Sequence, residues 1–313
     1  MNIYYHSLYT EGIDPESSFP RERYRLIKKK LEGRDSFRIL EPQKADISHI
    51  YKAHSKEYVD RFLSYNLTEK EIREIGLKPW TENIIDRTLL ITGGSLSALN
   101  DLLKGDPVSG NMAGGTHHAQ QSKGSGFCIF NDLAICAMKA IESTEFKRVL
   151  ILDLDVHQGD GTAQITRDIS SIFTFSMHCK QNYPFKKQVS DLDIEVESGT
   201  KDQEYIATLS MGLDKLKDVD CDVVFYQAGV DTLAADRYGK LNLSISGIKS
   251  RDELVFAFAK EKKCPVLVLM GGGYSEPIDE TVEAFESLFL TAKAYNLSLI
   301  HISEPTRPLY ISY

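Results

Sequence analysis

Four short runs along this chain are almost wholly apolar and stop abruptly at polar, charged or glycine residues: 149–154 (VLILDL), 172–177 (IFTFSM), 222–227 (DVVFYQ) and 265–270 (PVLVLM). Runs of that length without a polar face predict strands buried on both sides, as in a parallel sheet covered by helices. Residues 1–5 (MNIYY) predict another short strand. Elsewhere the apolar positions recur at helical spacing. They predict a basic amphipathic helix over 21–31, two short helices over 46–50 and 54–63, and a charged helix over 68–76 with Thr68 as its cap. Further helices are expected over 82–103 and 132–143. The RERYRLIKKK run within 21–31 reads as a solvated helix face, and Gly93-Gly94 inside 82–103 predicts close packing of that helix. No repeat, low-complexity tract or linker divides the pattern, so one domain is expected over residues 1–296.

The strand, polar end, helix rhythm defines an α/β fold with a mostly parallel central sheet flanked by helices. In such a sheet all carboxyl ends lie on one edge, and ligands bind there. The residues that follow the apolar runs therefore converge: Asp153, Asp155 and His157 after the first, Ser176 and Met177 at the end of the second, Asp231 after the third, and Gly271 to Tyr274 after the fourth. Strand alternation would point Asp153, Asp155 and His157 to one side. Two carboxylates that close repel each other unless a proton or a cation intervenes. A metal is the simpler answer, and oxygen with nitrogen donors suits zinc, manganese or iron(II). Asp160 taken alone, before Gly161-Thr162, reads as a helix cap. His117-His118, just after a glycine pair, supplies acid–base chemistry near neutral pH; a buried structural pair is the alternative. His49 and His54 have no neighbouring ligands in sequence and read as surface or helix-capping residues.

Composition narrows the class. With 313 residues, 42% of them hydrophobic, the chain can build a large core. A net charge of −8 gives no general attraction to nucleic acid or to an anionic membrane, though it tolerates a cationic substrate such as a lysine-rich tail. Five scattered cysteines without a CxxC pair argue against a disulfide framework or a thiolate zinc site, and fit a reducing cytoplasm. The MNIYYHSLYTEG start lacks the features of a leader, and no window reaches membrane-spanning length, so the expectation is a protein neither exported nor anchored. Residues 297–313, beginning LSLIHISEPTR, resemble translated sequencing-adapter sequence and are set apart from the fold as a non-native tail, which removes His301 from consideration.

Taken together, GGTHHA (114–119), GFCIFND (126–132), DLDVHQGDG (153–161), AGVD (228–231) and GGGY (271–274) resemble the zinc-dependent histone deacetylase family of the arginase-deacetylase fold, in the family's order and over nearly all of 1–296. The FPRERYRLIKKKL and AGVDTLAADRYGKLNLS stretches look most like its class IV branch and bacterial relatives. The resemblance implies that Asp155, His157 and Asp231 bind one catalytic zinc with room left for water and the substrate carbonyl. Iron(II) is served by the same donors. It implies that His118 is general base and then general acid, that His117 stabilises charge, and that Asp153 and Asp160 partner His117 and His118 respectively. Tyr274, on the triple-glycine turn, would donate to the developing oxyanion. Gly126 and Phe127 would form one wall of an acyl-lysine channel, and Tyr183 or Phe185 the other. Cys128 reads as a small packed thiol. Asp153, Asp155, His157, Ser176 and Met177 match the family's internal potassium site.

The function these features imply is hydrolysis of the amide of N-ε-acyl-lysine in proteins or peptides, with acetyl as the default acyl group and long-chain fatty acyl groups as an option. Direct nucleic-acid and membrane partners are not expected, and oligomeric state is left open. Three alternatives stand beside it: hydrolysis of acetylpolyamines or other small acetylated amines, which an acidic gate at the channel mouth would favour; an arginase-like two-manganese site, which needs more bridging carboxylates; and a catalytically silent acyl-lysine reader or scaffold.

Overall fold

The computed structural model describes residues 1–303, with side chains described for residues 1–295. Eight strands form one sheet: β1 (Asn2–Tyr4), β2 (Arg38–Leu40), β3 (Val108–Asn111), β4 (Val149–Asp153), β5 (Ile172–Cys179), β6 (Leu192–Val196), β7 (Val223–Gln227) and β8 (Val266–Leu269). Their order is β2-β1-β3-β8-β7-β4-β5-β6. Every pairing is parallel, so the sheet is wholly parallel where the sequence predicts a mostly parallel one. β3, β4, β7 and β8 are buried at every position, the expected state of strands covered on both faces. The helices are α1 (Leu8–Glu11), α2 (Glu22–Leu31), α3 (Ile47–Ala53), α4 (Lys56–Leu63), α5 (Glu69–Ile75), α6 (Ile84–Leu103), α7 (Asp132–Glu142), α8 (Asp160–Thr166), α9 (Asp202–Lys215), α10 (Ile245–Lys262) and α11 (Asp279–Ser303). Among the described residues, no helix is long and apolar enough to cross a membrane.

The helix ends follow local chemistry. Thr68 caps α5 in a reciprocal box with Glu71, and Gly76 closes it in the left-handed conformation at φ 87°. Asp46, Ser55, Asn131 and Ser244 each accept a backbone N–H at the starts of α3, α4, α7 and α10. Gly94 on α6 explains the close packing read from the sequence: a Cβ there would lie 2.5 Å from the Tyr9 hydroxyl. Three strands carry no apolar run. β2 and β6 are edge strands of partial exposure, and β3 (VSGN) is a strand because β1 and β8 flank it. In each the neighbours, not the local pattern, supply the extended conformation.

The backbone of α11 runs on to Ser303, and so through the first residues of the tail set apart above. The side chains of that tail lie outside the described residues.

Candidate active site

β4 ends at Asp153, flanked in register by Ser176 of β5 and Gln227 of β7. The extended geometry stops there, so alternation along a strand does not bring Asp153, Asp155 and His157 together, contrary to the sequence reading. A turn does it. The Asp155 N–H donates to Asp153 Oδ1 at 3.2 Å, and the His157 N–H donates to Asp155 Oδ1 at 3.0 Å. This splits the three residues: Asp153 turns to His117, with Oδ2 2.7 Å from Nδ1, while Asp155 and His157 face Asp231 from the loop after β7. His157 Nδ1 lies 3.0 Å from Asp155 Oδ1 and 3.1 Å from Asp231 Oδ2.

One ligand atom from each of Asp155, His157 and Asp231 falls within 4.8 Å of the others. Two carboxylates and an imidazole at that spacing, almost entirely buried, fit a single divalent ion with an open face. Burial and the Asp155 charge push the Asp231 carboxyl up to about 7. Burial opposes a proton on His157, but the two carboxylates in turn hold its ring up at about 10, so the site favours a positive charge where the three groups meet, which is the charge a metal ion would bring. Gly272 is required beside them. Its N–H donates to Asp155 Oδ2 at 2.9 Å, and a Cβ would sit 2.0 Å from Asp231 Oδ2.

The two histidines leave β3 on a loop held by Asp132, which accepts the N–H groups of Gly115 and Thr116 at 3.2 and 2.8 Å. Their rings are 4.1 Å apart, yet their surroundings separate them. Burial opposes a proton on His117, but the Asp153 and Asp155 charges outweigh it and hold the ring up at about 9. Burial, then the charge on His117, pushes His118 down to about 4 against the pull of Asp160. Asp160 does not cap α8, contrary to the reading of that residue taken alone: Gly159 holds the cap position with no side-chain cap bond, and Asp160 is the first helical residue. Its carboxylate is turned to the site, with Oδ1 2.6 Å from His118 Nδ1 while Oδ2 accepts from Gln120 at 3.0 Å.

His117, His118, Asp155 and His157 line a cavity of about 430 Å³. Gly126 and Phe127 form one side with left-handed φ of 54° and 65°; Gly126 lies so close that a Cβ would sit 2.5 Å from His118 Cδ2. Tyr183 also lines the cavity, its ring 4.9 Å from His118 and its hydroxyl donating to Ser125 Oγ at 3.2 Å. Phe185 stands at the rim, 90% exposed. Tyr274 lines the cavity between the rings of Phe127 and Tyr238, at 5.6 and 5.1 Å. Burial raises its phenol well above the ordinary value, so it is a proton-bearing donor. Burial likewise pushes the Cys128 thiol up and leaves it packed rather than reactive. Ser176 Oγ, buried on β5 beside Asp153, lies 3.0 Å from His178 Nδ1, and Met177 follows it in the core.

Several residues escape sequence reasoning. Gln227, the polar end of an apolar run, donates to Asp155 Oδ2 at 2.9 Å and accepts the Gly229 N–H at 2.8 Å. Asp236 accepts the Tyr274 N–H at 2.6 Å and so anchors the tyrosine turn. Arg251, completely buried, donates to the carbonyls of Gly229 and Ala228 at 2.5 and 3.3 Å, behind the loop that carries Asp231. Arg23 belongs to the run read as a solvated face, yet it is buried behind the glycine turn and donates to the carbonyls of Gly273 and Gly271 at 2.9 and 3.0 Å. His54 is neither on the surface nor merely a cap. It is buried, with Nδ1 3.0 Å from the Gln120 carbonyl and Nε2 accepting the Asn131 N–H at 2.8 Å. Only Gln227 leaves a trace in the sequence pattern; the others look like ordinary surface or helix residues until the chain folds.

A wholly parallel sheet with this strand order and a histidine- and aspartate-rich carboxyl edge has the arginase-deacetylase fold. Residues 17–289 match the histone deacetylase domain, and the chain belongs to that family. It is 40% identical over 295 residues to an uncharacterized protein of Picosynechococcus sp., covering 93% of this chain and 98% of that one. It is 33% identical over 246 residues to histone deacetylase 2 of Arabidopsis thaliana, covering 75% of this chain and 63% of the plant protein. With histone deacetylase 1 of Homo sapiens the identity is 30% over 258 residues, covering 76% of this chain and 52% of the human one. Thus the chain spans between half and two thirds of these plant and human relatives. A crystal structure of acetylpolyamine aminohydrolase from Burkholderia pseudomallei superposes with a TM-score of 0.78 at 20% identity, over 94% of this chain and 99% of that one. That likeness is one of fold.

Proposed function

We propose that the protein hydrolyses the amide of an N-ε-acylated lysine side chain in proteins or peptides, with one zinc ion held by Asp155, His157 and Asp231. The observation that carries this reading is the cavity of about 430 Å³ in which Phe127 and Tyr183 flank the approach to those ligands and to His118. An approach lined by aromatic rings suits an alkyl side chain such as that of lysine, and a metal held by those three ligands would supply Lewis-acid activation of the amide carbonyl and of a water.

The chain's own groups do the rest. His118, kept neutral and with Nδ1 against Asp160, presents Nε2 as the base that takes the water proton. It then returns that proton to the lysine amine as the carbon–nitrogen bond breaks. His117, held protonated by Asp153 and Asp155, stabilises negative charge beside it. The Tyr274 phenol donates to the carbonyl oxygen as charge builds there. Acetyl is the default acyl group; the cavity volume supports longer ones. Within the proposal fall a place in the class IV branch, a cytoplasmic location in keeping with five free cysteines, and a potassium ion at Asp153, Asp155, His157, Ser176 and Met177.

The deciding experiment is a hydrolysis series on one lysine peptide carrying acetyl, octanoyl or myristoyl groups, beside acetylpolyamines, with His118→Ala and Tyr274→Phe as controls. Release from the peptides that both substitutions abolish is the expected result. Turnover confined to acetylpolyamines would replace the proposal with a small-amine hydrolase. No turnover in metal-replete protein would make it a reader. Activity restored by iron(II) but not by zinc would overturn the metal assignment alone.

A further inference from the structure

The inner end of the cavity holds two arginines. Arg23 and Arg87 are 3% and 4% exposed, both line the cavity, and both donate to the Tyr24 hydroxyl, at 3.1 and 3.4 Å. Their guanidinium carbons lie 5.0 and 5.8 Å from the centre of the Phe19 ring. Their other donations go to backbone carbonyls: Gly271 and Gly273 for Arg23, Tyr9 for Arg87. Arg23 Nε is buried without a partner. Among the described residues, no carboxylate stands within ion-pair distance of either. Two adjacent cations taken out of water without a counter-charge are costly, and the cost is offset when an anion occupies the space they face.

The cavity also fixes which end of a substrate they meet. Its mouth is marked by exposed Phe185 and half-exposed Tyr183, its middle by the Asp-His-Asp cluster, and its inner end by these buried arginines. A lysine entering between Phe127 and Tyr183 places its amide carbonyl at Tyr274 and points its acyl chain inward. Arg23 packs directly behind the Tyr274 turn, its guanidinium carbon 5.5 Å from the centre of that ring.

Resting on the deacylase reading above, we propose that Arg23, Arg87 and Tyr24 form a carboxylate subsite, so that the enzyme accepts lysine acylated by a short dicarboxylic acid, of succinyl or glutaryl size. Guanidinium forks match a carboxylate in plane and charge. Hydrolysis then adds water to the amide carbon, passes the water proton through His118 to the departing lysine amine, and releases the dicarboxylate. Lysine peptides whose acyl chain ends in a carboxylate bind with that end between the arginines.

The test compares kcat/KM for succinyl-lysine with that for its neutral isostere, succinamoyl-lysine, in one peptide. Charge-assisted hydrogen bonds set the expected preference of the unaltered protein for the carboxylate at roughly tenfold or more. Arg87→Met should bring the ratio towards one, and Arg87→Lys, which keeps the charge but not the fork, should leave an intermediate ratio. Acetyl-lysine turnover by the unaltered protein reports separately on the deacylase reading. A readout independent of turnover is the rise in melting temperature with free glutarate, expected for the unaltered protein and absent in Arg87→Met. A ratio near one in the unaltered protein, or a preference that survives Arg87→Met, overturns the subsite. If Arg87→Met does not fold, a full preference in Arg87→Lys overturns the need for the fork.

Discussion

Lowering the pH from 7 to 5 should cost this fold about 2 kcal/mol through His54 alone. The ring is 2% exposed and bridges two segments: Nδ1–H donates to the Gln120 carbonyl and Nε2 accepts the Asn131 N–H. Only the neutral form can make both bonds. Burial pushes its pKa from the ordinary 6.5 down to about 4, and backbone carbonyls offset this only in part. The unfolded chain therefore takes up a proton near pH 6.5 that the folded chain refuses until about pH 4. Stability that is complete above 6.5 is lost as the pH falls through that window, by about 3 kcal/mol once pH 4 is reached. The consequence reaches the site, because the Asn131 side chain donates to the carbonyls of His117 and Ala119 at 3.3 and 3.1 Å. The assay is urea unfolding at pH 7 and pH 5 for the natural protein and His54→Gln. The glutamine can still accept the Asn131 N–H but does not titrate. Other groups act alike in both proteins, so the difference between their pH slopes isolates the histidine. Equal loss of stability in both between pH 7 and 5 would refute the reasoning.

Further expectations follow from the site. Tyr274→Phe removes one oxyanion donor and should lower kcat by about 10²–10³-fold with little change in KM, read from steady-state kinetics on acyl-lysine peptide. Arg251→Lys keeps the charge beside Asp252 but loses the fork that holds the carbonyls of Ala228 and Gly229; metal affinity by chelator competition should fall about 10–100-fold, and unchanged affinity would make Arg251 a packing residue only. Gly272→Ala places a methyl 2.0 Å from Asp231 Oδ2, so the protein should fold but bind zinc poorly by the same competition. A chain ending at Asn296 retains Leu288, Phe289, Ala292 and Tyr295 of the core, and should melt at the same temperature as the full chain.

The sequence by itself determined the layer architecture and pointed to the residues that the fold gathers at the carboxyl edge of the sheet. Apolar runs at 149–154, 222–227 and 265–270 can be buried on both faces only in a covered parallel sheet, and glycine pairs beside histidines and aspartates advertise chemistry because they serve no core. It also determined α5 almost to the residue, since the Thr68/Glu71 box and Gly76 are local devices. The tertiary structure alone decided the rest. β3 is a strand only because two others hold it, and the division of Asp153 from Asp155 depends on a turn that alternation does not foresee. Arg23, Arg251 and His54 belong to helices or helix ends whose patterns look solvated, and the carbonyls they meet lie 22 to 250 residues away along the chain. Periodicity reports which face of an element is apolar. It carries no information on which distant carbonyl or ring will meet a charged side chain, and that meeting places two unpaired arginines at the inner end of the cavity.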